Sequence, residues 1–215
     1  MATGKPIVES EYYHVLNRGN NKQPIFKNDN DRYRLLFLLM YFQSPKVSFT
    51  NLSATVKLFR KNFLLERYVP EIEATKTIDL VSFILMPNHF HLILYERKQG
   101  GIAKYMQRVQ NSYTKYFNTR HEQSGHLFQG TYKAVHLKTN EQLIYLSAYI
   151  HRNSREIKGW RNSEHKYPWS SYQDYLGANR WGKLINPSII LEQFNSAKEY
   201  REAVKSSEAK ESPEK

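Results

Sequence analysis

Two histidines stand one residue apart in the apolar run Ser82-Phe-Ile-Leu-Met-Pro-Asn-His-Phe-His-Leu-Ile-Leu-Tyr-Glu-Arg-Lys98. On a β-strand, residues i and i+2 point to the same face, so His89 and His91 become neighbours about 6–7 Å apart along the strand. Two such imidazoles can share a divalent cation at ligand distances of about 2.0–2.2 Å. Alone the pattern is weak, because two exposed or hydrogen-bonded histidines on a sheet satisfy it equally well. The apolar setting raises its weight: unliganded imidazoles buried there would need other partners. A third ligand must then come from an element that crosses this face. Further along, Tyr145, Tyr149 and Asn153 recur at i, i+4 and i+8, on one side of a helix. The Asn153 carbonyl oxygen is a hard ligand suited to Mg²⁺ or Mn²⁺ rather than zinc. Tyr149, one turn earlier, is placed to attack a phosphorus polarised by such an ion. A free phenol titrates near 10, so it needs that activation. Tyr145 is the rival nucleophile, one turn further back.

These residues need a sheet and a helix to bring them together. Tyr12–Arg18 reads as a strand ending at the turn Gly-Asn-Asn, and residues 28–42 as a capped, strongly apolar helix. Residues 78–86 and 89–96 flank Pro87-Asn88 and read as a hairpin. A basic amphipathic helix over 102–121 follows, then a strand over 125–137 with a glycine bend. The next helix covers 139–159, with Thr139 or Asn140 as its cap and Gly159 as its stop. The order β, α, β, β, α, β, α fits an α+β fold: one antiparallel sheet, helices on one face, ferredoxin-like or RRM-like. Residues 43–77 break the pattern and read as an insertion. Residues 178–215 form a C-terminal extension whose charged tail, from about Ser196, is expected to fray.

The chain of 215 residues carries 32 Lys+Arg against 20 Asp+Glu, a formal charge of +12, with 16 Tyr, 11 Phe and 3 Trp among them. Cations interleaved with aromatics suit single-stranded nucleic acid, through phosphate contacts and base stacking. Cysteine is absent, which removes disulfides and Cys-ligated metals and accords with a cytoplasmic protein. No apolar run reaches about 18 residues, so no membrane span is expected, and the N-terminus lacks the apolar core of a signal peptide. Arg18 and Lys22 flank the Gly-Asn-Asn turn, where loop amides and two cations could hold a phosphate; a plain solvated loop is the other reading. Lys104, Arg108, Lys115 and Arg120 on the basic helix, and Lys133 beyond it, are further candidate phosphate contacts. His14 and His151 read as packing residues, His14 with a supporting role behind the pair as the alternative. Tyr167, Trp169, Tyr172 and Tyr175 read as a small satellite core.

Taken together, His89-Phe90-His91, Met86–Leu94, Tyr13–Phe26, Gly125–Ala134, Tyr149–Asn153 and Tyr167–Gly177 resemble the single-tyrosine HUH transposases, and within them the REP-associated tyrosine transposases. The resemblance spans roughly residues 11–177, apart from 43–77. It implies that His89, His91 and Asn153 bind a divalent metal. It implies that Tyr149 attacks single-stranded DNA, leaving a 5′-phosphotyrosine and a free 3′-hydroxyl. It implies hairpin-forming repeats or mobile-element ends as substrates, and a monomer or homodimer as the acting form. One departure is Ser154, where such proteins commonly have proline. Two other readings stay open: a nucleic-acid-binding module without chemistry, and a metallohydrolase acting through activated water.

Overall fold

A computed structural model describes residues 6–62 and 64–207. Four antiparallel strands, β1 Tyr12–Arg18, β2 Ile78–Met86, β3 His89–Glu96 and β4 Lys133–Leu137, form one sheet in the order β2-β3-β1-β4. That is the ferredoxin-like order, and the α+β class expected from the sequence is the class observed. Eight helices surround it among the described residues: α1 Asp29–Tyr41, α2 Leu52–Asn62, α3 Val69–Thr75, α4 Gly101–His121, α5 Asn140–Arg152, α6 Tyr172–Tyr175, α7 Ser188–Leu191 and α8 Ala197–Ser206.

Strand alternation divides the sheet into two faces. Phe90 packs on Phe128, which in turn meets Tyr113 of α4. The two helices of the β-α-β-β-α-β core, α1 and α4, therefore share this face, and Tyr105 of α4 donates to Leu39 O of α1 at 2.8 Å. α5 lies on the opposite face, where Tyr149 meets His91 and His151 meets Ser82. The expectation of helices on one face holds for the core repeat; α5 makes a third layer. β2 is buried along its whole length for this reason, and it reads as an apolar run broken only by Asp79 and Ser82.

Local chemistry fixes the ends of these elements. Asn28 and Asp31 form a capping box at α1. Glu96, at the end of β3, accepts from Gly101 N at 3.0 Å and Ile102 N at 2.6 Å, tying the hairpin to the start of α4. A Cβ at Gly101 would stand 2.4 Å from Thr77 O, so that approach requires glycine. Thr139 caps α5 through Gln142 N. The helix stops at Arg152 without the proline, passing into a 3₁₀ turn over Asn153–Glu156; Gly159 lies beyond it.

Two expectations need correction and one gains detail. Only Lys133–Leu137 of the expected 125–137 strand pairs regularly; Gly19 and Phe128 make an isolated bridge before it. The 43–77 segment contains two helices, and Phe59 of α2 stacks among Phe37, Tyr41 and Trp181. The C-terminal region does not fray from Ser196. Ser196 caps α8, and Tyr200 and Val204, one turn apart, are buried against the body. The tail beyond Ser207 lies outside the described residues.

Candidate active site

The hairpin tip is held from outside. Gly19 N donates to Asn88 O at 2.8 Å, Ile25 N to Pro87 O at 3.0 Å, and Asn88 Nδ2 to Lys22 O at 3.1 Å. Gly19 permits this closeness, since a Cβ there would meet Gln23 O at 2.1 Å. Asn88 Oδ1 then takes Nδ1 of His89 at 2.7 Å, which turns Nε2 of that ring away from the turn.

Next to it, the His91 ring stands perpendicular to His89, with centroids 5.0 Å apart. His91 Nδ1 is 2.8 Å from Nε2 of His14 on β1, and the two rings stack. His14 is thus more than a packing residue: it fixes the plane of His91 from behind. Burial holds His14 neutral, with its pKa pushed down to about 3, and holds His91 well below the ordinary range. Burial, and then the neighbouring Arg18 charge, lower His89 to about 4. Three neutral imidazoles at pH 7 are what ligation demands of histidine. If His91 donates its Nδ1 proton to His14, its Nε2 carries the free lone pair, and that Nε2 is buried with no hydrogen-bond partner among the described residues.

α5 supplies the other half. The Tyr149 ring meets His91 edge-on with centroids 5.5 Å apart. Asn153, the C-cap residue one turn later, is buried, and its Oδ1 also lacks a hydrogen-bond partner among the described residues. Two orphaned buried acceptors beside a half-buried phenol are costly unless something binds them, because an unmet buried polar group costs about 1–3 kcal/mol. A hard divalent cation fits this donor set of two imidazole nitrogens and one amide oxygen. Among the described residues, no three His, Asp or Glu side chains gather into an alternative cation site.

Tyr145 stands elsewhere, on a cavity of about 300 Å³ that Phe194 and α8 help to line. His151 is wholly structural: Nδ1 meets Tyr200 Oη at 2.6 Å and Nε2 meets Ser171 Oγ at 2.9 Å. Tyr167, Trp169, Tyr172 and Tyr175 are buried as a satellite core.

The cations expected to meet phosphate divide. Arg18 is exposed and pairs with His89 across the β1–β3 ladder, so it stands beside the histidines. Lys22 is exposed, but the amides of its loop are already used: Asn20 N donates to Leu127 O, Lys22 N to Gly19 O and Gln23 N to Asn20 O. Those amides are therefore not free to form the cradle read from Gly-Asn-Asn, and the side chains of Arg18 and Lys22 remain. Lys115 lines a groove of about 870 Å³ between α4 and residues 126–132. Arg120, in the last turn of α4, and Lys133, on the edge strand, are exposed. Arg108 is the clear correction. Its guanidinium donates to Ser44 O at 2.7 Å, Phe42 O at 3.3 Å and Val47 O at 3.4 Å, and it lies over the Phe42 ring. It clamps a loop rather than facing outward.

Residues 7–153 match the family model described as Transposase IS200 like. The chain belongs to that family. Its members work in DNA transposition, and this transposase carries its histidine pair, Tyr149 and Asn153 inside the matched span. No curated protein matches the chain. Among solved structures it is similar to one described as "Structure of the REP associates tyrosine transposase bound to a REP hairpin", over 83% of this chain and 86% of that one, with a TM-score of 0.49 and 12% identity. The hairpin belongs to that protein. No helix of the transposase, among its described residues, is long and apolar enough to cross a membrane.

Proposed function

We propose that the protein nicks and rejoins single-stranded DNA in the cytoplasm through a covalent tyrosine intermediate, acting on hairpin-forming repeats or mobile-element ends in the manner of the REP-associated transposases. His89 Nε2, His91 Nε2 and Asn153 Oδ1 are the atoms that would hold Mg²⁺ or Mn²⁺. Bound there, the ion supplies electrophilic polarisation of a phosphate and fixes its orientation.

The chain's own residues do the rest. His14 holds His91 in the ligating tautomer, and Asn88 holds His89. Tyr149 Oη forms a bond to phosphorus as the P–O3′ bond breaks. The phenolic proton leaves Oη and the departing 3′-oxygen gains one, so the products are a 5′-phosphotyrosine and a 3′-hydroxyl. Phenolate is a fair leaving group, so a 3′-hydroxyl can attack the ester and release Tyr149, which rejoins the strand. Arg18, beside His89, is placed to neutralise a phosphate oxygen, and Lys22, Lys115, Arg120 and Lys133 to track the backbone.

One observation carries this reading: among the described residues, His91 Nε2 and Asn153 Oδ1 are both buried without partners while the Tyr149 ring rests on His91. The test is a denaturing gel of the protein with an end-labelled hairpin oligonucleotide and Mn²⁺. Wild type gives a shifted covalent band, and Tyr149→Phe binds the DNA without forming it. Cleaved DNA with no band in wild type would point instead to water as the nucleophile. Binding without cleavage would leave only a nucleic-acid-binding module.

A further inference from the structure

The C-terminal end of α5 closes one side of a second cavity, of about 280 Å³. Arg152 and Arg155 line it from that end, Arg201 and Lys205 from α8, and Glu164 and His165 from the 3₁₀ turn Glu164–Lys166. Among the described residues, Glu164 is the sole carboxylate in this lining. Lys205 pairs with Glu202 at 3.1 Å. None of the three guanidinium groups has an ion-pair partner among the described residues, and Arg201 reaches only His165 Nε2, at 3.4 Å. Arg152 Nη1 and Arg201 Nε are buried with no hydrogen-bond partner among the described residues.

Such an arrangement is expensive for folding alone. Like charges repel across a small cavity, and buried charged donors left unmet cost more than neutral ones. The carbonyl end of α5 attracts cations, yet its field equals roughly half a charge and fades within one turn. That accounts for an arginine on α5; it does not account for Arg201 and Lys205 arriving from another helix. Guanidinium forks with spare N–H groups match an anion with several acceptor oxygens. Burial and the charges of Arg201, Lys166 and Lys205 hold His165 below its ordinary pKa, so it adds little positive charge of its own to this lining.

We propose that the Arg152–Arg155–Arg201 pocket binds a phosphate group. Arg155, Arg201 and Lys205 all lie beyond residue 153, where the family match ends, so this is a feature of the C-terminal region of this chain. Arg152 precedes Asn153 on the same helix end, which favours a DNA backbone phosphate flanking the reacting one as the ligand; that part rests on the reading under Proposed function. A free phosphate or polyphosphate shares the chemistry.

The experiment measures binding with EDTA present, so neither metal nor a covalent adduct enters. Wild type, Arg155→Gln, Arg201→Gln and the double variant are titrated with a labelled single-stranded hairpin oligonucleotide at several salt concentrations. Each is also melted with and without millimolar pyrophosphate. Arg67→Gln, in the segment before α3, is the charge-matched control, and circular dichroism checks folding. Should Arg201→Gln fold poorly, Arg155→Gln alone carries the comparison. A roughly tenfold weaker DNA affinity in the double variant, with a salt slope shallower by about 0.7–0.9 per lost phosphate contact, supports the site with DNA as the source. Unchanged DNA affinity with pyrophosphate raising only the wild-type melting temperature supports it with a small phosphate as the source. Neither effect, or an equal loss in Arg67→Gln, overturns it. A missing covalent band in the gel assay would sink the tyrosine mechanism and leave this pocket untouched.

Discussion

Arg108→Ala separates two uses of one cation. On a basic amphipathic helix it reads as a phosphate contact, yet its guanidinium is turned onto three loop carbonyls. The Ser44 bond, charged and 2.7 Å long, contributes about 1.5–3 kcal/mol. The bonds to Phe42 and Val47, at 3.3 and 3.4 Å, are near the limit and add less. Stacking on Phe42, 4.6 Å from the ring centroid, adds about 0.5–1 kcal/mol at a half-exposed position. These terms are not additive, and a total near 3 kcal/mol is the reasonable expectation. For a chain of this size that lowers the melting temperature by roughly 6–12 °C. Arg108→Lys restores the charge but cannot fork over several carbonyls, so it recovers less than half of the loss. The assay pairs urea denaturation with DNA binding across salt, at a temperature where the variants stay folded. The expected result is a large drop in denaturation midpoint with an unchanged salt slope. A normal midpoint with a slope reduced by about 0.7–0.9 would refute the clamp and restore the phosphate contact.

Three further expectations follow from the site and its surroundings. His14→Leu frees the His91 ring to rotate and weakens Mn²⁺ binding by about 10–100-fold in calorimetry, with the fold retained; unchanged affinity would remove His14 from the site. Tyr145→Phe still forms the covalent DNA band, since this residue faces α8; loss of the band would transfer the nucleophile's role to it. Burial pushes His151 down to about 3 in the folded chain, against about 6.5 unfolded, so the unfolded state binds more protons between those values and stability falls as pH drops through that window. In EDTA, wild type should lose about 2 kcal/mol between pH 7 and 5 from this group, and His151→Phe should flatten the urea midpoints by that amount; parallel midpoints in the two proteins would contradict it.

The histidine pair, Tyr149 and Asn153 were legible because each depends on one period within one element. Alternation puts His89 and His91 on a common face, and a four-residue step puts Tyr149 and Asn153 on a common side. The role of His14 was not legible to the same degree, because it depends on register between strands distant in sequence. His14 pairs with Ile93 and lies one step from the Leu16–His91 pair, a placement fixed only when β1 enters between β3 and β4. The fate of the basic residues was hidden for a different reason. A guanidinium is satisfied by a phosphate or by a ring of main-chain carbonyls, and the sequence names the donor without the acceptor. Arg108 found carbonyls in the loop after α1. The amides of Gly19 and Asn20 were likewise spent on the hairpin tip and on Leu127.

The helices on the two faces explain why the site sits where it does. α1 and α4 cover the Phe90 face largely with apolar contacts, and the phenols of Tyr105 and Tyr113 there are met by main-chain carbonyls. The opposite face receives α5, and a set of buried polar side chains gathers under it: His14, Ser82, His91, His151, Asn153 and Ser171. Those at the Ser82 end satisfy one another, through Ser82, His151, Ser171 and Tyr200. Those at the His89 end do not, and His91 Nε2 and Asn153 Oδ1 stay unmet. The same layer thus contains a closed hydrogen-bond network, which orients α5 against the sheet, and an open set of acceptors one turn away. The first fixes the second: with His151 locked between strand and C-terminal helices, rotation of α5 is blocked, and Tyr149 and Asn153 are held toward the histidine strand.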